Sequence, residues 1–275
     1  MWLGAHVGIG GGYSNAVDSG IEIAADAIQI FTRNQMQWKA KPIDEEAAKR
    51  FREDFKSSKL KAVVAHGSYL TNLASPEKKG LKTSIDAVLD EIGRCEKLGI
   101  GTYIFHPGSH VGAGDEKGEK TEARSLSYIL EKTEGCSVKL ALENMAGQGN
   151  VICHHFDSIS RIIEDVDSER LGVCLDTCHL FAAGYDIREK ASLHATMGEF
   201  KEKIGMKRLL AVHLNDSKGE LGSRRDRHEC IGKGRIGVEG FRQLMHYQGL
   251  SRIPMALETP NPDGYKREIA LLRKL

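Results

Sequence analysis

Six short apolar segments of this chain are each followed by a residue that can bind a metal ion. They are four or five residues long and rich in Val, Ile, Leu and Ala, as expected for strands that are buried on both faces. In a closed parallel barrel all strands end on one face, where their side chains converge. The pattern therefore predicts a barrel with a ligand cluster at its mouth: His66 after 62–65, His106 after 102–105, Glu143 after 139–142, Asp176 after 171–175, His213 after 209–212 and Glu258 after 254–257.

Two further apolar segments complete a set of eight predicted strands, and amphipathic helix patterns alternate with them. The additional strands are expected at 3–6 and 27–31, and the helices at 15–25, 45–57, 76–98, 121–132, 156–166, 187–203, 238–246 and 265–274, with a polar loop at 108–120. A (β/α)8 barrel takes about 250 residues. The sequence thus predicts an α/β fold: one TIM-barrel catalytic domain over residues 1–275, with its active site at the C-terminal face of the strands. The alternative is an open, doubly wound α/β sheet.

Bulk properties describe an ordinary globular chain. The formal net charge is +1, so any binding of a polyanion must depend on local basic patches or bound metal ions. Six cysteines lack a repeating spacing and are expected to be reduced. No apolar stretch approaches the length of a membrane span, and residues 1–4 lead directly into a predicted strand, so we expect a cytoplasmic protein without a membrane partner.

Two short motifs add ligands at the same face. His179 follows Asp176 by three residues, and His228 follows Asp226 by two, so that in an extended loop the latter pair point the same way. Nine candidate ligands exceed the need of one catalytic zinc, which usually takes three protein ligands and water. Three ions that share one bridging carboxylate fit better. The nitrogen and oxygen ligands suit Zn²⁺, with Mn²⁺ or Fe²⁺ possible at some positions.

Longer motifs around these residues resemble the endonuclease IV family, the zinc-dependent apurinic/apyrimidinic endonucleases. The resemblance extends from about residue 3 to residue 272. It rests on HGSYL at 66–70, HPGSH at 106–110, LENMAGQG at 142–149, CLDTCH at 174–179, HLND at 213–216, DRH at 226–228, GKGRIG at 232–237 and LET at 257–259.

The resemblance implies a site with three Zn²⁺ ions. The first ion is expected at His66, His106 and Glu143, the second at Glu143, Asp176, His213 and Glu258, and the third at His179, Asp226 and His228. The implied reaction is hydrolysis of the phosphodiester 5′ to an abasic site in duplex DNA by metal-activated water. Glu143 is the implied catalytic residue, because it bridges two ions and orients the nucleophile. His6 and His110 are expected to support the ligands from outside the set.

DNA contacts are implied for two loops of the family. One contains Arg33, Asn34, Gln35 and Met36, and the other contains Tyr69; both are expected to enter the base stack beside a flipped abasic nucleotide. Met36 stands where some relatives carry an inserting Arg, and an apolar wedge can still unstack bases. Backbone phosphates are expected to contact Arg227 and its basic neighbours Arg224, Arg225, Lys233 and Arg235. We expect a monomer whose partner is double-stranded DNA containing abasic sites.

Two other functions remain open from the residues. A sugar isomerase or epimerase on a similar barrel would use one or two ions, but it has no evident use for the nitrogen-rich set of His179, Asp226 and His228. A zinc-containing protein that binds damaged DNA without cutting it is the second alternative. Structural zinc sites are usually closed and rich in Cys, which argues against that alternative.

Overall fold

The computed structural model describes residues 1–275 and contains a closed barrel of eight parallel strands. They are β1 (Trp2–His6), β2 (Ala27–Phe31), β3 (Ala62–His66), β4 (Thr102–Phe105), β5 (Lys139–Glu143), β6 (Leu171–Asp176), β7 (Leu209–Leu214) and β10 (Pro254–Leu257), while β8 (Asp216–Ser217) and β9 (His228–Glu229) form a small antiparallel pair. The barrel strands follow chain order, and β10 pairs with β1. This closure confirms the predicted barrel and excludes the open sheet.

Helices cover the outside of the barrel. They are α1 (Ser14–Glu22), α2 (Glu45–Ser57), α3 (Lys78–Leu98), α4 (Asp115–Lys132), α5 (Phe156–Val166), α6 (Thr177–Ala183), α7 (Lys190–Lys203), α8 (Gly237–Met245) and α9 (Tyr265–Leu272). Their apolar sides pack on the strands and form a continuous core of 57 buried residues. None of the helices is both long and apolar enough to span a bilayer.

Several predicted segments differ from the structure at their ends; the helix predicted at 15–25, for example, is observed at Ser14–Glu22, and three of the differences have a clear local cause. The polar loop predicted at 108–120 is wrong in its second half, because α4 begins at Asp115, where two carboxylates in the first turn favour a helix start. Helix α3 begins at Lys78 rather than at 76, since the Glu77 side chain accepts hydrogen bonds from the amides of Lys79 and Gly80. The helix predicted from 187 begins at Lys190, after a capping box formed by Glu189 and Ser192.

The short helix α6 was not predicted. Asp176, the last residue of β6, caps it by accepting a hydrogen bond from the amide of His179 at 2.8 Å. The helix therefore begins directly at the barrel mouth and places His179 one turn after Asp176.

Strand alternation directs the predicted ligands into the barrel. A small buried cluster fills its interior: Val64, Ile104, Ala141, Cys174 and Ala211. Each of these side chains stands two residues before a predicted ligand, and residues two apart in a strand face the same side. The ligands consequently form the next interior layer, at the open end of the barrel.

Candidate metal centre

Nine predicted ligands come together in three groups. Within each group the candidate ligand atoms lie within 4.8 Å of one another: His66, His106 and Glu143; Glu143, Asp176, His213 and Glu258; and His179, Asp226 and His228. The first two groups share Glu143. The geometry thus assembles the three sets that the resemblance implied, and the fold brings every one of the nine residues to the barrel mouth.

Glu143 lies at the centre of the cluster and is fully buried. Its Oε2 atom lies 3.1 Å from Nε2 of His66 and 3.5 Å from Nε2 of His106. Its Oε1 atom lies 3.1 Å from Nδ1 of His213. The two oxygens therefore face different groups, which is the arrangement that a carboxylate needs to bridge two cations.

Imidazole orientation tests whether cations fit these groups. In three histidines, Nδ1 lies at hydrogen-bond distance from a backbone carbonyl, so that Nδ1 carries the proton and donates it. The pairs are His66 with Gly67 at 2.8 Å, His179 with Asn144 at 2.9 Å and His228 with Glu258 at 3.2 Å. The Nε2 atoms then point inward, as metal ligands do.

Two of these inward nitrogens have no hydrogen-bond partner. Nε2 of His179 and Nε2 of His228 are buried and unpartnered, although they lie 3.2 and 3.3 Å from the two carboxylate oxygens of Asp226. A nitrogen lone pair that faces a carboxylate oxygen repels it unless a proton or a cation lies between them. The donor set therefore fits a divalent cation.

His213 is held by a different acceptor. Its Nε2 atom lies 2.8 Å from Oε1 of Gln29, and Nε2 of Gln29 donates to Oε1 of Glu258 at 2.6 Å. One amide thereby orients a ligand on β7 and another after β10. The role of Gln29 was not predicted, although a glutamine inside the apolar strand β2 was a detectable signal. Nδ1 of His6 also lies 3.3 Å from Oε1 of Glu258, which agrees with the expected supporting role of His6.

Asn215 positions two carboxylate ligands. It is fully buried; its Nδ2 atom donates to Oδ2 of Asp176 at 2.6 Å, and its Oδ1 atom accepts from the backbone amide of Glu258 at 2.9 Å. The backbone amide of Asp176 donates to Oδ1 of Asn144 at 2.7 Å. Both amide residues lie within motifs of the sequence, but their contacts depend on strand neighbours and were not predicted.

The adjacent residue, Asp216, organises the loop at 232–237. Its buried carboxylate accepts hydrogen bonds at 2.9 Å from the amides of Gly232, Gly234 and Ile236. A side chain at Gly234 would bring its Cβ atom into collision with Oδ1 of Asp216, so this turn requires glycine. The loop displays Lys233 and Arg235 at the surface.

The pKa shifts of the buried groups indicate that the carboxylates of the cluster require compensating positive charge. Burial alone would raise the pKa of Glu143, but the imidazoles of His213 and His106 hold that pKa well below its usual range. Burial alone would lower the pKa of His179, but Asp176 and Asp226 raise it well above its usual value. Without cations, protons on the imidazoles compensate the carboxylates.

Two cysteines lie beside the same groups. The Cys174 sulfur lies within 4.8 Å of candidate ligand atoms of Glu143 and His213, and the Cys178 sulfur lies within 4.8 Å of candidate ligand atoms of Asp176 and His228. Burial raises the pKa of both thiols to about 12. As neutral thiols they are weaker ligands than the imidazoles and carboxylates.

The predicted DNA-contacting residues divide into exposed and buried ones. Met36 is 63% exposed and Tyr69 is 50% exposed, and Asn34 and Arg227 also face solvent. Gln35 is half-buried. Arg33 is instead buried, with its guanidinium held by Glu91, so its side chain has no access to a ligand at the surface.

A cavity of about 320 Å³ opens between the loop that carries Tyr69 and the ligand cluster. Its lining includes Tyr69, His106, Gln148 and Asp226, so it joins the first and third ligand groups.

His110 does not support the ligands as expected. Its Nδ1 atom accepts from the amide of Gly114 at 3.0 Å, and the side chain lies beside the start of α4.

Comparisons with known proteins agree with this architecture. The xylose isomerase-like TIM-barrel family matches residues 17–275. A protein from Campylobacter hominis named probable endonuclease 4 is 46% identical over 277 residues, covering 99% of this chain and 98% of that protein. The crystal structure of endonuclease IV from Thermus thermophilus superimposes with a TM-score of 0.86 at 29% identity, covering both chains completely. A D-tagatose 3-epimerase-like protein, at 22% identity, TM-score 0.73 and coverage of 100% of this chain and 96% of its own, shares the fold. The chain therefore belongs to the endonuclease IV family of nucleases, within the xylose isomerase-like TIM barrels.

Proposed function

We propose that this protein is a base excision repair endonuclease that hydrolyses the phosphodiester 5′ to an abasic site in duplex DNA. The products are a 3′-hydroxyl and a 5′-deoxyribose phosphate, and we extend the proposal to removal of 3′ blocking groups. The observation that carries the proposal is the sharing of Glu143 between two ligand groups while a third, nitrogen-rich group adjoins them.

Three divalent cations, with Zn²⁺ preferred and Mn²⁺ or Fe²⁺ possible at some positions, would occupy these groups. The nine ligands would hold them as grouped above, because the ligand atoms of each group converge and the inward Nε2 atoms of His179 and His228 have no hydrogen-bond partner. Bound cations of this kind supply charge that lowers the pKa of water and neutralises phosphate oxygens. Glu143 then orients the attacking water, while Gln29 and Asn215 hold His213, Asp176 and Glu258 in place.

Lesion recognition is assigned to the exposed residues of the two loops, of which the Tyr69 loop lines the cavity. Met36 and Tyr69 are large, exposed and apolar, which suits insertion into a base stack. Asn34 and Gln35 shape the same loop, since Oδ1 of Asn34 accepts from the Met36 amide at 2.9 Å. Arg227, with exposed cationic neighbours, would contact the phosphate backbone. Arg33 has a different role in this proposal: its buried guanidinium holds the loop in place by pairing with Glu91 and donating to the Trp38 carbonyl.

The epimerase alternative is disfavoured by the third ligand group. A sugar epimerase polarises one small substrate and needs no separate site formed by His179, Asp226 and His228. The passive DNA-binding alternative conflicts with the half-open first group, because the His106 side chain is 26% exposed and faces the cavity.

One assay decides among these functions. Zinc-loaded protein is incubated with a duplex carrying one abasic analogue, with and without a chelator, beside an undamaged duplex and a ketose. We expect nicking on the 5′ side of the analogue that the chelator abolishes. Ketose turnover without nicking would establish the epimerase, and tight duplex binding without nicking would establish the passive binder.

We further propose that the chain acts as a monomeric, single catalytic domain in the cytoplasm. All six cysteines are free in the structure, which suits a reducing compartment. Light scattering of the purified protein at two concentrations tests the monomer.

A further inference from the structure

Two loops at the barrel mouth share one buried anchor. Glu91 lies on the barrel-facing side of α3 and is 1% exposed. Its Oε1 atom accepts from Nε of Arg33 at 2.5 Å, in the loop after β2. Its Oε2 atom accepts from the amide of Ser68 at 3.2 Å, in the loop after β3, and from the hydroxyl of Tyr103 at 2.5 Å. We call Glu91, Arg33, Ser68 and Tyr103 the Glu91 network.

The network extends directly into the exposed parts of both loops. Nη1 of Arg33 donates to the carbonyl of Trp38 at 2.8 Å and so closes the loop that carries Met36. The hydroxyl of Ser68 donates to the carbonyl of Gln35 at 2.6 Å, which joins the two loops to each other. Tyr69, one residue after Ser68, therefore has its backbone tied to the Met36 loop.

Close packing leaves this arrangement little freedom. A Cβ atom at Gly67 would collide with the hydroxyl of Tyr103, so only glycine fits at this position between His66 and Ser68. The side chains of Arg33 and Glu91 are each 2% exposed, and a buried ion pair of this kind is costly to break because it leaves an uncompensated charge. The sequence also marks the position, since Glu91 interrupts the apolar stripe of α3 between Val88 and Ile92.

We propose that Glu91 is a positioning residue that couples the Met36 loop and the Tyr69 loop into one rigid element for recognising the distorted duplex. The inference rests on the proposed function for its substrate. Ordering both loops before binding removes the entropy cost of immobilising them on DNA. Loss of the coupling should therefore weaken binding of the damaged duplex while the ligand cluster keeps its cations.

Three variants test the coupling in the zinc-loaded full chain. Glu91→Gln removes the charge, the paired replacement Arg33→Met with Glu91→Leu removes the network without leaving a lone buried charge, and Ser68→Ala removes the bridge to Gln35. Matched controls are Glu119→Gln, whose carboxylate pairs with Arg161 between α4 and α5, and Ser160→Ala, whose hydroxyl joins α5 to the end of α7.

The readouts separate positioning from a general loss of structure. We expect KM for an abasic-analogue duplex to rise about tenfold or more in the network variants, with kcat changed less than about threefold. Zinc content and hydrolysis of a small phosphodiester should match the controls. Trp38 anisotropy, measured in a Trp2→Phe background, should fall in the paired variant, because there the Trp38 carbonyl loses its hydrogen bond from Arg33.

The possible results distinguish failure of the loop coupling from failure of the proposed function. Unchanged KM in the paired variant and in Ser68→Ala, together with unchanged Trp38 anisotropy in the paired variant, would overturn the coupling, even if Glu91→Gln fails to fold. An equal loss of kcat on both substrates would assign Glu91 to general stability and would overturn it too. Absence of nicking by the unmodified protein would instead refute the proposed function, whereas a fall in Trp38 anisotropy would still establish the loop coupling.

Discussion

Replacing Asn215 by aspartate tests whether the Asn215 amide holds the Asp176 carboxylate by a hydrogen bond in the ligand cluster. The change conserves volume and leaves the acceptor for the Glu258 amide, but it replaces the group that donates to Oδ2 of Asp176 at 2.6 Å. Two charged carboxylate oxygens at that distance repel by about 6 kcal/mol at an effective dielectric constant of about 20.

The pair can avoid that repulsion by keeping one proton. At about pH 7 this requires holding a proton about three pH units above the ordinary aspartate range, which costs about 4 kcal/mol. The smaller of the two costs, about 4 kcal/mol, is therefore the expected loss in the free energy of unfolding at about pH 7. The folded state of the variant then binds a proton that the unfolded chain lacks, so its free energy of unfolding falls as pH rises. The deficit relative to the unmodified protein should shrink by about 1.4 kcal/mol per pH unit towards about pH 5.

Urea unfolding at several pH values, with a chelator present so that bound cations do not neutralise the added charge, measures this deficit. The control is Asn15→Asp, because Asn15 is exposed and its amide donates only to the carbonyl of Gly10. We expect the control to stay within about 0.5 kcal/mol of the unmodified protein at each pH. A deficit that is absent, or that does not change with pH, would refute the contact between Asn215 and Asp176.

The other expected outcomes concern the third ligand group, the exposed loop and a buried acid. His228→Ala should lose one zinc per chain by elemental analysis and lower kcat about 100-fold or more, while the exposed His194→Ala keeps both; full zinc content would contradict that role. Met36→Gly should weaken abasic-duplex binding more than hydrolysis of a small phosphodiester, and equal losses would exclude a wedge. Glu122→Met should stabilise the protein by about 1–3 kcal/mol in urea unfolding at neutral pH, because both carboxylate oxygens of Glu122 are buried without partners. Burial raises the pKa of Glu122 well above its usual value, so the original protein loses stability as pH rises towards that pKa, and the gain should widen with pH. A similar gain from the exposed Glu134→Met would contradict this explanation.

Local sequence patterns were sufficient to predict the barrel and the convergence of the candidate ligand residues at its mouth. Strands buried on both faces produce short apolar segments, and the parallel arrangement requires their ends to meet at one face. His66, His106, Glu143 and His213 follow such segments directly, so their convergence was predictable from neighbouring residues. The start of α4 was mispredicted because the polar residues around Asp115 suit a loop as well as a first helical turn.

Contacts that depend on barrel closure were beyond the reach of those patterns. Gln29 orients His213 although 184 residues separate them, and no local periodicity specifies which side chain lies opposite another after the barrel closes. The same holds for Arg33: its position in a polar loop predicted an exposed cation, whereas Glu91, 58 residues later, provides the counter-charge that buries it. The sequence alone determined which atoms can bind cations and at which end of the barrel they lie, because those properties follow from residue type and strand period. Tertiary structure decided which nitrogen of each imidazole faces inward and which loops are tied together, because hydrogen-bond partners distant in the chain set those orientations.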